Sequence, residues 1–448
     1  MKKLIGLLGV CATTCVSLGG EWAFANDTIT DGNWTLGAQF NASAKTLTIT
    51  GYRSGSGVLD LDDPVVNGLA VQNVYFWNEV FAYQKAALTE FRCNRFWQPD
   101  KNNMTWALFR YNQSLTKLSL GGTGGVHHWA DFVRGCSNLV SIVLDLPNQT
   151  NIASSAFAQP PKLEMVVIRS AKRMTLPVKF FQDRAALRSV TLDLPQNAEI
   201  PDYLFDKCKA LSELELNLGE VTKIGALAFN SCGKLKTNVA ALCPPSVSAV
   251  ATRAFEGCLE LSGDLVLTNL QYFGDGAFAW TKLSRAELRG PIVQSGWKND
   301  AYGNGVRFSG VITLKEVVFD LPNLTRLDSG DFENCWALSS VYFWRKPFNA
   351  TSLRHLLNGK GLSAKTCTLL VSPQQWPFAE RATSGWRVLT TAERMDVRKP
   401  TRCLGMCDVG DPSVIENAEL KLTQQRLAWF ARWNSPYDVM QGFAFTLR

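Results

Sequence analysis

One spacing recurs through the middle of this chain: an apolar residue is followed by others three and five positions later. Ten segments follow this spacing, although the copy at Leu235 has Asn238 and Ala240 at its inner positions and the copy at Leu261 has one extra residue before Leu265 and Leu267. Six of the nine gaps between their first residues are 24 residues long. The segments begin at Leu115, Leu139, Leu163, Leu187, Leu211, Leu235, Leu261, Leu283, Leu314 and Leu338. Such a period predicts a solenoid, because one coil is too small to bury its own apolar residues and stacking on neighbours completes the core.

Most coils have a second landmark, an apolar residue followed five positions later by phenylalanine. The pairs are Ile152 and Phe157, Leu176 and Phe181, Ile200 and Phe205, Ile224 and Phe229, Val250 and Phe255, Phe273 and Phe278, and Leu327 and Phe332. The leucine segments alternate sides at their ends, which is typical of a short strand with one buried face. Each coil is therefore predicted to contain a strand, a tight turn and a convex element that is either helical or extended.

The order of residues within the coils carries a family resemblance. An alanine-phenylalanine pair followed by Cys-x-x-Leu recurs at residues 228–235 and 254–261, and a related order spans 332–341. These segments resemble the BspA-type leucine-rich repeats of bacterial surface proteins, from about Phe109 to Val371. The resemblance implies an α/β solenoid of about ten 24-residue coils.

The flanks of the array resemble the caps of that family, namely a hairpin-like segment at Trp34–Gly51 and a closing strand at Leu369–Pro373 followed by Trp386. We therefore expect a β-rich N-terminal cap at 26–68 and a solenoid with its terminal cap at 69–390, whose leading coils at 69–108 are degenerate. The tail at 391–448 is expected to form one helix, because Ser413-Val-Ile-Glu416 has the spacing of a capping box.

The first residues have the pattern of an export leader. Lys2 and Lys3 precede an apolar run from Leu4 to Leu18, and Ala23-Phe24-Ala25 offers small residues at a cleavage site. A signal peptide over residues 1–25 is therefore predicted, with the mature chain beginning near Asn26. No later stretch approaches the roughly 18 apolar residues of a spanning helix. The protein is expected to be secreted, held at the cell surface, or periplasmic.

Charge argues against nucleic acid as a partner. The formal net charge is +7, and lysines and arginines are scattered among acidic residues rather than gathered in runs. A phosphate backbone would require a basic stripe.

The cysteines follow the repeat. Five of them, Cys136, Cys208, Cys232, Cys258 and Cys335, stand three residues before the first leucine of a coil. A buried row of small side chains is the first interpretation, and disulfides between adjacent coils are the alternative in an exported protein. Their spacing is not that of a zinc site. For Cys403 and Cys407, outside the array, a local disulfide and free thiols both remain open.

The chain shows no catalytic motif. It has three histidines, and it lacks the nucleophile elbow, the metalloprotease helix motif and the phosphate-binding glycine loop. We predict that the protein is not an enzyme and needs neither a cofactor nor a metal.

The outward residues of the strands are the best candidates for binding. They should be those two and four positions after each first leucine: Lys117 and Ser119, Ser141 and Val143, Met165 and Val167, Ser189 and Thr191, Glu213 and Glu215, Arg285 and Glu287, Glu316 and Val318, Ser340 and Tyr342. Tyr342 and the nearby Trp344 are the candidate binding residues, because aromatic side chains are enriched in binding hot spots. Packing against a cap is the other interpretation of the same pair.

These features favour an exported protein that binds other proteins through its strand face, and the family resemblance adds adhesion to host or matrix proteins. Carbohydrate binding is an alternative, because the chain has 14 tryptophans, all but Trp22 in the predicted mature part. A hydrolase is a third hypothesis, with its site in the tail or in the insertion between Leu283 and Leu314.

Overall fold

The computed structural model describes residues 20–83, 87–97, 107–124, 131–157, 160–292, 306–321 and 330–338, and the backbone of four further strands within 340–406. The described residues confirm a β-solenoid, of about nine turns. The chain divides into two compact units. The N-terminal unit comprises Met1–Leu176 and Val190–Gln196, and the C-terminal unit comprises Pro177–Ser189 and Asn197–Arg448.

The N-terminal unit contains two sheets. Its strands are β1 (Glu21–Ala25), β2 (Thr28–Thr30), β3 (Thr35–Asn41), β4 (Thr46–Ser54), β5 (Ser56–Asp60), β6 (Val65–Val66), β7 (Leu69–Ala70), β8 (Asn73–Phe76), β9 (Ala87–Cys93), β10 (Lys117–Gly121), β11 (Ser141–Asp145), β12 (Met165–Arg169) and β13 (Ser189–Leu194). The first sheet has the order β7-β6-β1-β2-β3-β4-β8. In the second, β5, β9, β10, β11, β12 and β13 lie side by side, and the pairs from β5 to β12 are parallel.

The first sheet includes residues from both sides of the boundary predicted between the leader at 1–25 and the segment at 26–68. Strand β1 lies within residues 1–25, which the sequence assigns to the leader. Strands β2 to β6 fall within 26–68, so this segment is β-rich. Its role as a cap stays a prediction.

The C-terminal unit also contains two sheets. Its elements are β14 (Glu199–Ile200), β15 (Glu213–Leu218), β16 (Lys223–Ile224), α1 (Val239–Leu242), β17 (Ala249–Val250), β18 (Ser262–Leu267), β19 (Tyr272–Phe273), β20 (Lys282–Arg289), β21 (Glu316–Asp320), β22 (Ser340–Phe343), β23 (Thr368–Val371), β24 (Arg387–Val388) and β25 (Cys403–Met406). One sheet has the order β14-β16-β17-β19, and the other β18-β20-β21-β22-β23-β25-β24. Strand β25 lies within the predicted tail, where the helix expected after Ser413 falls outside the described residues.

The phenylalanines of the second landmark from Phe181 onward, together with Phe308, stack along the C-terminal unit. Successive ring centroids lie 5.4, 5.4, 5.0, 5.1, 6.3 and 5.9 Å apart along the series Phe181, Phe205, Phe229, Phe255, Phe278, Phe308 and Phe332. The residues five positions before four of them, Ile200, Ile224, Val250 and Phe273, are buried on short parallel strands. The stacked phenylalanines and the buried residues five positions before them thus form a core that a single coil could not provide.

The cysteine row is confirmed as buried and free of disulfides in the described residues. Each thiol lies 3.0 to 3.1 Å from a phenylalanine carbonyl of an earlier coil, to which it donates: Cys136 to Phe109, Cys208 to Phe181, Cys232 to Phe205, Cys258 to Phe229 and Cys335 to Phe308. Burial raises the pKa of the Cys136 and Cys208 thiols to about 12. These thiols therefore stay protonated and unreactive, and each adds a second donor to a carbonyl that already accepts a backbone N–H.

The convex element is a hydrogen-bonded turn, so the α/β assignment was wrong. The only helix in the described residues is the four-residue α1. In the turns, backbone N–H groups donate to the next coil, as from Phe181 to Leu204 at 3.0 Å and from Asp183 to Asp206 at 2.8 Å. The residue two after each phenylalanine has a positive φ: Asp183, Lys207, Ser231, Gly257, Trp280, Gly310 and Asn334. A left-handed residue in every coil interrupts helical hydrogen bonding and turns the N–H groups toward the neighbour.

One predicted coil has no strand. In the copy that begins at Leu235, Asn238 forms only an isolated bridge to Ser262, and α1 follows. The Asn238 side chain accepts a hydrogen bond from the Ala240 N–H at 2.9 Å, which caps the helix. The polar residue at an inner position therefore replaces a strand with one turn of helix, and the ten predicted strands become nine.

Candidate functional site: the strand face

The outward direction predicted for the strand residues is observed in the N-terminal unit. Strands β10, β11 and β12 pair so that equivalent residues of successive coils lie opposite each other, and Lys117, Ser141 and Met165 therefore form one row. Ser119, Val143 and Val167 form the next row. All six side chains are half-buried or exposed, whereas the residues between them are buried. We call these six residues the open strand face.

The centre of the open strand face is apolar. Val143 and Val167 lie directly opposite each other on neighbouring strands, and both are half-buried. Met165, opposite Ser141, is 37% exposed. Cross-strand neighbours on one face have Cβ atoms about 5 Å apart, so these side chains form one patch.

Charged residues of both signs border this patch. On one side, the Arg92 guanidinium lies 2.6 Å from Glu90 and 3.4 Å from Asp60, and the Lys117 ammonium lies 3.8 Å from Glu90. These are exposed or partly exposed pairs, which contribute little to stability because water screens them. They leave a polar border of mixed charge.

On the other side of the patch, Asp145 and Arg169 are cross-strand partners and lie 3.9 Å apart. On the Arg92 side of the patch, just beyond β5, burial and the neighbouring carboxylate of Asp60 raise the pKa of Asp62 to about 6. A negative charge at that position is therefore costly, and the border changes charge in mildly acidic solution.

In the C-terminal unit, Glu213 and Glu215 of β15 are exposed as predicted, whereas Glu287 and Glu316 are buried, contrary to the prediction that they face outward into solvent. Asp264, Arg285 and Glu316 form one row across β18, β20 and β21, and Val266, Glu287 and Val318 form the next. Glu287 is 2% exposed and Glu316 is 4% exposed. We call Arg285, Glu287, Arg289, Glu316 and Asp320 the buried charged face.

The buried charged face holds its ions in pairs. Arg285 lies 2.8 Å from Glu316, and Arg289 lies 2.7 Å from Glu287. Burial raises the pKa of Glu287 to about 7, and the nearby Asp320 adds to that shift while both arginines oppose it. The free-energy cost of burying these ions is offset only while each ion stays paired with its partner. We therefore expect the ion pairs of the buried charged face to affect the stability of the fold rather than the binding of a partner.

The predicted binding pair is only partly described. The backbone of Tyr342 lies in β22, in register with Val318 on one side and Leu370 on the other. Trp344 lies outside the described residues. Tyr342 thus continues the row of Glu287, and β22 has neighbours on both edges.

The two cysteines outside the array are only partly described. Cys403 lies in β25, opposite Thr368, and Cys407 falls outside the described residues, so their disulfide stays a prediction. Within the described part of the chain, no group of three or more histidine, cysteine or acidic side chains is placed to hold a metal ion. The described residues also contain no helix with the length and apolar character needed to cross a membrane.

Two tryptophans of the C-terminal unit are exposed, which the repeat pattern did not reveal. Trp280 is 48% exposed and Trp336 is 65% exposed, in turns two coils apart. A Cβ atom at Gly310 would lie 2.6 Å from the Trp280 indole, so the ring lies over the glycine of the next coil. Gly310, which occupies the equivalent turn position in the next coil, is the sequence signal that could have indicated the exposed Trp280 ring.

The comparisons with known proteins agree with the repeat. Residues 174–295 and 242–353 match the model of the BspA type leucine rich repeat region, in six copies. Comparison with curated proteins gives no match.

Three solved structures are similar to this chain at low sequence identity. A leucine-rich repeat protein from Bacteroides ovatus is 18% identical, with 71% of this chain and 70% of that chain covered and a TM-score of 0.35. A leucine rich cell surface protein from Faecalibacterium prausnitzii is 17% identical, with 72% and 96% covered and a TM-score of 0.27. The pneumococcal vaccine antigen PcpA is 14% identical, with 81% and 96% covered and a TM-score of 0.29.

Proposed function

We propose that this chain, whose residues 174–353 are BspA-type leucine-rich repeats, is an exported, non-catalytic protein that binds another protein through its open strand face. The observation that carries the proposal is the apolar patch of Met165, Val143 and Val167, bordered by ions of both signs. An apolar centre with a polar border is the usual anatomy of a protein-binding surface.

The backbone beneath the patch supports this role. Strands β10 to β12 are hydrogen-bonded in register, and their inward residues Leu118, Ile142 and Val166 are buried. A partner that docks there meets side chains on fixed strands, so little conformational entropy is lost on binding. The mixed border favours a protein partner with its own mixed charges over a polyanion.

We infer that the partner is an extracellular protein of a host or its matrix. The export leader predicted at residues 1–25 supports a location outside the cytoplasm. The family resemblance supports a role in adhesion by analogy of fold.

The hydrolase hypothesis has a structural counterpart, but its geometry is unfavourable. In the sequence, Glu287 lies between Leu283 and Leu314, Glu316 and Asp320 follow shortly after, and all three are buried. Glu287 and Glu316 are paired with arginines at 2.7 and 2.8 Å. A catalytic pair must reach the scissile bond of its substrate, which these buried, ion-paired carboxylates do not offer.

Carbohydrate binding is the second candidate, favoured by the exposed rings of Trp280 and Trp336. A flat indole presents an apolar face with a polar edge, which suits an amphipathic ligand. These rings lie on turns of the C-terminal unit and the open strand face lies on strands of the N-terminal unit, so separate variants test the two candidates.

The test uses the purified mature chain against panels of serum, mucus and matrix proteins and against a glycan array. Val143→Glu and Val167→Glu place charge in the centre of the open strand face. Val178→Glu is the matched control, because Val178 is an exposed valine on a turn, at 52% exposure. Loss of a protein ligand in the first two variants alone supports the proposal, and equal capture by all three contradicts it. Loss of glycan binding in Trp280→Ala and Trp336→Ala would instead support the carbohydrate candidate.

A further inference from the structure

Strand β1 lies inside the segment that the sequence assigns to the export leader. We propose that the leader is cleaved between Gly19 and Gly20, so that Glu21–Ala25 stays in the mature protein as strand β1. The proposal rests on the proposed export and is independent of any partner bound by the open strand face. Its chemistry is peptide hydrolysis: water adds a hydroxyl group to the carbonyl carbon of Gly19 and a proton to the nitrogen of Gly20.

The position of β1 within its sheet indicates that this strand belongs to the folded protein. It is the third of seven strands, parallel to β6 on one side and antiparallel to β2 on the other. Without it, β6 and β7 would lose their connection to the other four strands of the sheet. Both new edges would expose unpaired backbone groups, which folded proteins avoid.

The side chains of β1 are the second argument. Trp22 is fully buried, and the Phe24 ring lies 6.1 Å from that of Phe40. The Phe24 N–H donates to the Asn67 side-chain carbonyl at 2.9 Å, and the Asn67 N–H donates to the Trp22 carbonyl at 3.0 Å. A large aromatic residue at the centre of a sheet belongs to the core of the folded protein.

The turn after β1 is the third argument. Ala25 pairs with Thr28, so Asn26 and Asp27 form a two-residue hairpin loop, with φ values of 51° and 55°. Positive φ at both central residues is the requirement of a type I′ turn, and asparagine and aspartate tolerate it. Cleavage after Ala25 would cut the chain at the entrance to this turn and separate the hairpin.

The small residues at Ala23 and Ala25 are explained by the strand itself. Trp22 is buried and Phe24 is half-buried, while Ala23 and Ala25 are exposed on the opposite face. This alternation imitates the small-x-small pattern read by signal peptidase. Ser17-Leu18-Gly19 also has small residues three and one positions before a bond, at the end of the apolar run.

The experiment expresses the full chain in a bacterium and measures the intact mass of the exported protein. Gly19→Leu and Ala25→Leu are the matched variants, since each places a large residue directly before one of the two bonds. We expect a mature chain that begins at Gly20, accumulation of precursor in Gly19→Leu, and normal processing in Ala25→Leu.

A mature chain that begins at Asn26, or at any residue other than Gly20, overturns the assignment. Precursor accumulation in Ala25→Leu with normal processing of Gly19→Leu does the same. A second measurement needs no export: chains produced without a leader, beginning at Gly20 or at Asn26, are compared by thermal unfolding. The shorter chain should unfold at a lower temperature, and equal midpoints would contradict a structural role for β1.

Discussion

The open strand face of β10–β12 and the buried charged face of β20–β21 occupy the same position in the repeat but differ in burial and chemistry. In the first, Val143 and Val167 meet solvent and the ions lie at the border. In the second, Glu287 and Glu316 are withdrawn from solvent and paired with arginines. The comparison shows that a repeat sets the direction of a side chain without setting its environment.

The consequence is a division of roles. Residues of the buried charged face should control stability, because a buried ion without its partner is costly. Residues of the open strand face should control recognition and leave stability nearly unchanged.

The largest effect is expected from Glu316→Ala. This change leaves the Arg285 guanidinium without the carboxylate 2.8 Å away, in a largely buried site. We expect a loss of about 3 kcal/mol in the free energy of unfolding, measured by urea denaturation. Glu213→Ala, at an exposed strand position, is the control, and an equal loss in both would remove the distinction between the faces.

The next effect is a dependence on pH. Burial raises the pKa of Glu287 from its ordinary value of 4.5 to about 7 in the folded protein. The folded state therefore binds the proton more tightly than the unfolded state, and the stability this provides is present below pH 4.5 and lost as the pH rises through 7. Glu287→Gln should remove a loss on the order of 2 kcal/mol between pH 5 and 8.

Thermal unfolding across that pH range measures the effect of Glu287→Gln, with Glu213→Gln as the control. An unchanged pH slope in Glu287→Gln would show that Glu287 is ionised in the folded protein throughout this range.

The smallest effect on stability is expected at the border of the open strand face. Arg92 pairs with Glu90 at 2.6 Å, a shorter contact than that between Arg285 and Glu316 at 2.8 Å, yet 44% of the Arg92 side chain is exposed. Arg92→Ala should cost less than about 1 kcal/mol, because water screens exposed pairs. Urea denaturation of Arg92→Ala beside Glu316→Ala tests whether burial, not distance, decides the strength of these pairs.

The repeat was predictable because its chemistry is periodic. The phenylalanine and cysteine rows could be recognised from a constant offset to the leucines, and the structure places both rows in the core. The coil at Leu235 was flagged by its polar Asn238, although the sequence did not show that this side chain would cap a helix.

The burial of Glu287 and Glu316 could not be predicted in this way. Their spacing is that of exposed residues in other coils, and burial depends on what other parts of the chain place over the face. The convex turns were ambiguous for a similar reason. A left-handed φ at Lys207 or Trp280 leaves no signal in residue type, since only some coils have glycine there. The strand at Glu21–Ala25 was hidden by its resemblance to a cleavage site.

Recognition by the open strand face is tested most directly by the dissociation constant of the captured protein ligand for the wild-type chain, Val143→Glu and Val178→Glu. We expect at least about tenfold weaker binding for Val143→Glu, because a charge in the apolar centre must be desolvated on binding. Binding by Val178→Glu and the unfolding of both variants should be unchanged. Equal dissociation constants for all three proteins would contradict the assignment of recognition to the open strand face.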